Sequence, residues 1–504
     1  MKTLFELSGK LLAQLIDRQT CAWKKDPFAI QNKTLEKLLT KGRHTLFGRD
    51  HDFEKIKTYS DFTEKVPLRD YEAFRTYINS IKEGKEDILW PGKPIYLCKT
   101  SGTTSGVKYI PLTKDSLPNH INSARNALLN YITISGNTGF INGRMIFIQG
   151  SPALDSVGGI PTGRLSGIAA HHVPKYLQKK RLPSYTTNCI EDWEVKIDAI
   201  VDETIEENMT VIGGIPSWIQ MYFEKLQERS GGKTIKEIFP NLELMVLGGV
   251  NFEPYEKRFR QLTGGAVDHI EVFPASEGFF AYQDDPKERG LLLLLNEGIF
   301  YEFVKAEEIF DEHPERITIK DVEIGINYAI IVSSNAGLWG YLIGDTIRFT
   351  SLDPHRIIVS GRIKHFISAF GEHVIAEEVD AAIHAVSKSE NISINEFTVA
   401  PRVNPGNDEL PYHEWFIEFS EEPENLERLS ERLDVQMREK NIYYNDLIEG
   451  KVLQPLKISR IKKDGFSNYM KAKGKLGGQN KIPRLANDRL IADELEAFKI
   501  PFRK

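Results

Sequence analysis

Residues 193–214, WEVKIDAIVDETIEENMTVIGG, lead from an amphipathic helical stretch into a short apolar strand that ends at two glycines. Residues 242–249, LELMVLGG, place another apolar strand before another pair of glycines, and residues 144–149, RMIFIQ, supply an earlier strand. Strands that alternate with helices in this way are typical of a parallel sheet covered by helices. We therefore predict an α/β fold with mostly parallel sheets.

Outside this stretch, the chain divides into a large and a small part. The first hundred residues are mainly helical and are interrupted by proline and glycine. In the C-terminal part, the two strands Phe397–Val403 and His413–Phe419 alternate with helical stretches, which is typical of an α+β domain. We predict a large N-terminal domain over residues 1–364 and a small domain over residues 365–504.

The composition of the 504 residues excludes some classes of function. Charged residues make up 27%, but the net charge of −6 gives no basic field for a nucleic acid partner. No apolar run reaches the roughly 20 residues of a membrane-spanning helix. Three cysteines are too few for a disulfide framework, which favours a reducing compartment. We expect a cytoplasmic protein with neither nucleic acid nor membrane as a partner.

A loop rich in hydroxyl groups, residues 99–108 (KTSGTTSGVK), is the first candidate binding site. Small side chains let backbone N–H groups approach an anion closely, and the hydroxyl groups add donors. The loop departs from the G-x-x-x-x-G-K-S/T pattern, because Lys108 is displaced and neither Ser nor Thr follows it. It is typical of either a phosphate site or a polar surface turn. The residues that would contact phosphate are Ser101, Gly102, Thr103, Thr104, Ser105 and Gly106.

Two further candidates follow predicted strands. Gly248 and Gly249 leave room for a flat ring at the carboxyl end of a strand, where open α/β sheets bind their ligands. Ser276 and Glu277 follow another strand, and the carboxylate of Glu277 is a suitable ligand for Mg²⁺. Each feature alone is also compatible with an ordinary surface turn.

Three charged residues nearer the C-terminus complete the set of candidates. Asp345 follows Gly344 and can accept hydrogen bonds from both hydroxyl groups of a ribose, because a carboxylate has two acceptor oxygens. Arg362 lies in the basic stretch SGRIKH, residues 360–365, and is a candidate for ribose or phosphate contact. Lys481 stands beside glycines and can reach a distant site, although its lysine-rich surroundings also fit a basic tail.

Taken together, the order and spacing of these stretches resemble the auxin-responsive acyl-acid amido synthetases, a branch of the adenylate-forming enzyme superfamily. The matching stretches are 101–106 (SGTTSG), 273–277 (FPASE), 341–345 (YLIGD) and 479–484 (QNKIPR). The resemblance implies a large N-terminal domain, a small mobile C-terminal domain and an active site between them. It also implies ATP and Mg²⁺ as cofactors.

The resemblance also implies a role for each matching residue, with Glu277 and Lys481 as the catalytic residues. Ser101, Thr103 and Thr104 would contact the phosphates, and Ser276 would contact the nucleotide. Glu277 would be the magnesium ligand, and Asp345 would contact the ribose together with Arg362. Lys481 would meet the α-phosphate. We hypothesise that the small domain rotates about Lys364 between the two half-reactions, because a G-R-x-K stretch lies at the predicted boundary.

The predicted function is ATP-dependent adenylation of a small carboxylic acid, followed by acyl transfer to an amine, such as an amino acid, with release of pyrophosphate and AMP. One alternative is an acyl-CoA synthetase with a thiol acceptor. The extra residue Ser105 before Gly106 favours the amido synthetases over that alternative. A second alternative is a nucleotide-binding protein without catalytic activity.

Overall fold

The computed structural model describes the greater part of the chain: residues 4–101, 107–249, 252–363, 366–367, 372, 374–403, 405, 409–449, 452–476 and 481–501. It forms two compact units. The first comprises Met1–Gly214, Ile238–Gly249 and Val267–Ile358, and the second comprises Ile215–Glu237, Val250–Ala266 and Val359–Lys504. The predicted domain boundary and hinge at Lys364 lie outside the described residues and stay a prediction.

Several helices begin at an aspartate whose carboxylate accepts a hydrogen bond from a free backbone N–H group of the first turn, as at Asp26, Asp70 and Asp192. The α-helices of the described residues are α1 (Leu4–Lys24), α2 (Pro27–Gly42), α3 (Leu46–Asp50), α4 (Tyr59–Lys65), α5 (Tyr71–Lys82), α6 (Leu117–Ser135), α7 (Leu165–His171), α8 (Lys175–Gln178), α9 (Tyr185–Asn188), α10 (Trp193–Thr204), α11 (Pro216–Arg229), α12 (Ile235–Ile238), α13 (Glu256–Thr263), α14 (Ala376–Ser389), α15 (Leu426–Lys440), α16 (Ile442–Glu449), α17 (Gly465–Ala472) and α18 (Leu490–Leu495).

Most of the strands belong to one large sheet. The strands of the described residues are β1 (Tyr96–Ser101), β2 (Val107–Leu112), β3 (Arg144–Phe147), β4 (Asp155–Val157), β5 (Ile160–Gly163), β6 (Arg181–Leu182), β7 (Met209–Gly214), β8 (Leu244–Gly248), β9 (Asp268–Ala275), β10 (Gly278–Tyr282), β11 (Leu291–Leu293), β12 (Ile299–Lys305), β13 (Ile317–Thr318), β14 (Asn327–Ser334), β15 (Tyr341–Leu352), β16 (His355–Arg362), β17 (Phe366–Ile367), β18 (Val374–Ile375), β19 (Ile394–Arg402), β20 (Tyr412–Phe419) and β21 (Lys457–Arg460).

The large sheet has the strand order β13-β12-β14-β15-β16-β11-β10-β9-β8-β7-β3-β6. Its part from β6 through β3, β7 and β8 to β9 is parallel, whereas β9 pairs antiparallel with β10, and β10 with β11. Val211 and Ile212 point to opposite faces of β7 and are both fully buried, so both faces of the sheet are covered there. The α/β class is confirmed, but the sheets are mixed rather than mostly parallel.

The apolar run Leu291–Leu295 contains the strand β11, as its composition indicates, but β11 does not form a hairpin with the strand that follows. β11 pairs with β10 and β16, whereas β12 pairs with β13 and β14. From the sequence, the turn Asn296-Glu297-Gly298 after this run predicts a hairpin. That prediction is wrong, because the strands on the two sides of the turn have different neighbours in the sheet.

The C-terminal part of the second unit is a small α+β fold, as predicted from its sequence. β20 pairs antiparallel with β19 and parallel with β21, and α14 and α15 pack together. The core centres on Trp415, and α14 contributes Val379, Ile383 and Val386 to it from one face, all at most 2% exposed. Among the described residues, none of the helices combines the length and apolar character needed to cross a bilayer.

Candidate active site

A tight turn between β9 and β10 carries two of the predicted site residues. Ala275 pairs with Gly278, so Ser276 and Glu277 form the whole connection between the two strands. Ser276 is only 8% exposed, and its hydroxyl group hydrogen-bonds the thiol of Cys98 on β1. Burial raises the pKa of Cys98 well above its usual range, and the nearby negative charge of Glu277 raises it further.

Cys98 therefore joins the turn to the strand that enters the hydroxyl-rich loop. β1 ends at Ser101, which pairs with Val107 at the start of β2. The intervening predicted residues Gly102, Thr103, Thr104, Ser105 and Gly106 lie outside the described residues. Because the register of β1 and β2 fixes both ends of the loop, the loop begins three residues after the thiol that contacts Ser276.

The predicted glycine pair follows the neighbouring parallel strand. Gly248 pairs with Val272 of β9, and a Cβ atom at Gly248 would lie 2.9 Å from the carbonyl oxygen of Val272. Gly249 has a φ of +91°, which favours glycine. The absence of side chains at these two positions lets the end of β8 lie close to β9, near the turn that carries Ser276.

Asp345 lies at an irregularity within β15. Leu342 pairs with Ile331 of β14 and Thr346 pairs with Ala329, so Ile343, Gly344 and Asp345 all lie opposite one residue of β14. Gly344 adopts a φ of +92° there, and Asp345 is 9% exposed. Extra residues in one strand redirect its side chains and commonly lie beside functional sites.

Two predicted residues belong to the second unit. Arg362 is exposed at the end of β16, and Lys481 is exposed in the segment that follows α17. Immediately after Lys481, Ile482 is buried, and the backbone N–H of Val399 donates to the carbonyl oxygen of Arg484 over 2.9 Å. The chain that follows Lys481 is therefore attached to the edge of β19.

Arg484 anchors this segment. Its guanidinium group forms ion pairs with Glu396 and Asp380, donates to Oη of Tyr255 over 2.6 Å, and stacks on Phe397 at 4.5 Å. Although burial alone lowers an arginine's pKa, these anionic and phenolic neighbours raise the pKa of Arg484 above its usual value. The sequence indicated this residue only as the end of a motif, and its partners come from three other segments.

The described residues of the site suit Mg²⁺ held by few protein ligands. The described residues contain no group of three or more His, Cys, Asp or Glu side chains placed to hold a metal ion. Mg²⁺ that accompanies a nucleotide is commonly held by one or two carboxylates together with phosphate oxygens. Glu277, partly buried on the turn beside β1, fits that donor set.

Comparison with known families gives three matches in chain order. The GH3 family N-terminal domain matches residues 18–184, the GH3 family central domain matches 292–362, and the GH3 family C-terminal domain matches 377–490. The chain belongs to the GH3 family. The family predicted from the sequence motifs is thereby confirmed.

Among named GH3 proteins, a jasmonoyl–L-amino acid synthetase of Nicotiana attenuata is 21% identical over 418 residues, which are 69% of this chain and 71% of the relative. An indole-3-acetic acid-amido synthetase of Arabidopsis thaliana is 23% identical over 290 residues, which are 54% of this chain and 48% of the relative. This chain therefore spans about half the length of the second relative.

Two solved structures resemble the fold of this chain over most of its length. GH3.15 acyl acid amido synthetase gives a TM-score of 0.77 at 16% identity and covers 98% of this chain and 97% of its own. A 2-hydroxyisobutyryl-CoA ligase in the postadenylation state gives 0.60 at 13% identity, covering 93% and 92%. These similarities confirm the fold of an adenylate-forming enzyme.

Proposed function

We propose that this GH3 protein activates a carboxylic acid with ATP to an acyl-adenylate and then transfers the acyl group to the amino group of an amino acid. The names of its relatives support an amido synthetase. The observation that carries the proposal is the hydrogen bond of Cys98 with Ser276, because it joins the strand entering the hydroxyl-rich loop to the turn with the candidate magnesium ligand Glu277.

In the first half-reaction, a carboxylate oxygen of the acid bonds to the α-phosphorus of ATP, and the bond from that phosphorus to pyrophosphate breaks. Backbone and hydroxyl donors of residues 101–106 would bind the phosphates, and Ser276 would contact the nucleotide. Glu277 would hold Mg²⁺, which when bound neutralises charge on the phosphate oxygens. Asp345 would accept hydrogen bonds from the ribose. Positioning and electrostatic stabilisation supply most of the catalysis in such a reaction.

In the second half-reaction, the nitrogen of the amine bonds to the acyl carbon and loses one proton to the solvent, and AMP leaves with the electrons of the broken C–O bond. Lys481 would act on the α-phosphate in the first half-reaction, with Arg362 as an additional ribose contact.

The three free cysteines, Cys21, Cys98 and Cys189, support a reducing and cytoplasmic location as part of the proposal.

ATP–pyrophosphate exchange across a panel of carboxylic acids tests the adenylation step. We expect exchange only when a suitable acid is present, and hydroxylamine should trap the same intermediate. ATP binding without acid-dependent exchange would instead support a nucleotide-binding protein without catalytic activity.

The acceptor is tested separately, because an acyl-CoA synthetase shares the first half-reaction. With an acid that supports exchange, we expect AMP release to be accelerated by an amino acid and not by CoA. Acceleration by CoA alone would support the acyl-CoA synthetase instead.

A further inference from the structure

A buried lysine and a partly buried arginine lie near each other just beyond the end of β3. Lys196 of α10 is 2% exposed, and its ammonium group donates to the carbonyl oxygens of Gln149 and Asn188 over 3.0 and 2.7 Å. The side chain of Arg164 lies against Gly150, where a Cβ atom would be 2.9 Å from its Cδ and 3.6 Å from its Nη1. Gly150 thus leaves the space that the guanidinium group occupies.

Neither cation has an acidic partner among the described residues. Burial lowers the pKa of Arg164, and no carboxylate opposes the shift. The pKa of Lys196 is lowered to about 8, mainly by burial, while Cys189 acts to raise it and the charge of Arg164 acts to lower it. Buried charges are normally paired, so two adjacent cations without a carboxylate leave an excess of positive charge here.

The same place holds hydrogen-bond donors that lack an acceptor in the part of the chain that the structure describes. They are Nη1 of Arg164, Nε2 of Gln149 and the hydroxyl group of Ser166, and all three atoms are buried. Buried polar atoms are almost always hydrogen-bonded, so such a group calls for an explanation. A bound anion would accept from all three kinds of donor.

The cluster lies at the edge of the sheet that also carries the predicted adenylation residues. Phe147 at the end of β3 pairs with Gly213 of β7, Gly214 with Leu247 of β8, and Gly248 with Val272 of β9. Three strand spacings separate β3 from β9, about 14 Å. The intervening strands β7 and β8 both end at glycine, so no side chain projects from their last residues between the end of β3 and the end of β9.

We propose that the acid substrate carries a second anionic group, such as a carboxylate, which binds to Arg164 and Gln149 while its first carboxylate is adenylated near Ser276. This proposal rests on the proposed function, because it assigns the far end of the same acyl substrate. Lys196 adds positive charge behind the bound group. The substrate class is therefore a dicarboxylic acid, or an acid with a comparable anion, rather than a purely apolar monocarboxylic acid.

The test is ATP–pyrophosphate exchange with a series of straight-chain dicarboxylic acids and the monocarboxylic acids of equal length. We expect the wild type to prefer a dicarboxylic acid by about 10- to 100-fold in kcat/KM, the range given by charged hydrogen bonds. Arg164→Gln should abolish most of that preference, and Arg164→Lys should restore part of it. The ratio of the two rates is independent of the folded fraction, so partial misfolding of a variant does not affect it.

Arg181→Gln is the matched control. Arg181 is also a partly buried arginine near α7, but it donates to the carbonyl oxygen of Ala170 over 3.3 Å, and its replacement should leave the preference unchanged. Equal kcat/KM values for dicarboxylic and monocarboxylic acids in the wild type would overturn the second anion site alone. An equal loss of exchange with both kinds of acid in Arg164→Gln would do the same. Absence of exchange with every acid would overturn the proposed function, and this inference with it.

Discussion

Arg484 donates from Nη2 to Oη of Tyr255 over 2.6 Å, within a buried group that also contains Glu396 and Asp380. Removal of one partner from a buried ion pair costs about 3–5 kcal/mol, because the opposite charge is left buried and unpaired. We expect Arg484→Met to lower the free energy of unfolding of the second unit by that amount in urea titrations. Tyrosine and tryptophan fluorescence would report the transition.

Arg428→Met is the control for this measurement. Arg428 lies in the same unit and pairs with Glu390, but its side chain is 63% exposed. Exposed ion pairs contribute at most about 1 kcal/mol. Similar losses in the two variants would contradict the anchoring role of Arg484.

Glu297 gives the protein a pH-dependent stability. It lines a cavity of about 160 Å³ beside α1 and α6, and burial raises its pKa to about 7, although the charge of Arg125 opposes the shift. Because the folded-state pKa exceeds the usual 4.5, the folded protein binds more protons than the unfolded chain between these values. Stability should therefore fall as the pH rises through that window.

Glu297→Gln should remove this loss and stabilise the protein by up to about 3 kcal/mol above pH 7, with little difference near pH 4.5. Thermal unfolding as a function of pH measures the effect, and Glu288→Gln, at an exposed position, is the control. An offset that is constant across the pH range would argue against titration of Glu297.

Glu277 and Asp345 are expected to act on adenylation rather than on folding. One preorganised electrostatic group contributes roughly 100-fold or more to a rate. Glu277→Gln and Asp345→Asn should each reduce ATP–pyrophosphate exchange by about that factor, with unchanged circular dichroism. Glu288→Gln serves again as the control, and near-normal exchange in both site variants would remove them from the active site.

Substitution of Lys481 distinguishes a catalytic role of this lysine from membership of a basic tail. Its side chain is exposed, so Lys481→Ala should leave the melting temperature unchanged while it lowers adenylation by roughly 100-fold. Lys475→Ala replaces another exposed lysine of the same region and should retain normal exchange. Equal, small effects of both substitutions would favour the basic tail.

Local sequence predicted the central strands well. The runs at 144–149, 210–212 and 242–247 correspond to β3, β7 and β8, because apolar residues bounded by glycine or polar turns favour buried strands. Leu7, Leu11 and Leu15 recur at helical spacing, which predicts a helix, and α1 forms there. Those leucines are nevertheless 52–64% exposed, and the buried side of α1 consists of Ala13, Ile16 and Trp23.

The sequence-based prediction did not include Lys196 or Arg164, although Lys196 could have been recognised. Lys196 shares the helix face of Trp193, Ile197 and Ile200, and a charged residue on an apolar face indicates a buried, specific contact. For Arg164 no comparable pattern exists, because its neighbour Gly150 comes from a different loop.

By itself, the sequence determined the family, the α/β class, and the residue types able to bind a nucleotide, because motifs and hydrophobic periodicity depend on neighbours in the chain. Only the tertiary structure decided that Cys98 contacts Ser276, that Arg484 lies between Tyr255 and Glu396, and that the sheet is mixed. These contacts join segments distant in the chain. They depend on strand order and on which surfaces become buried, neither of which a local pattern specifies.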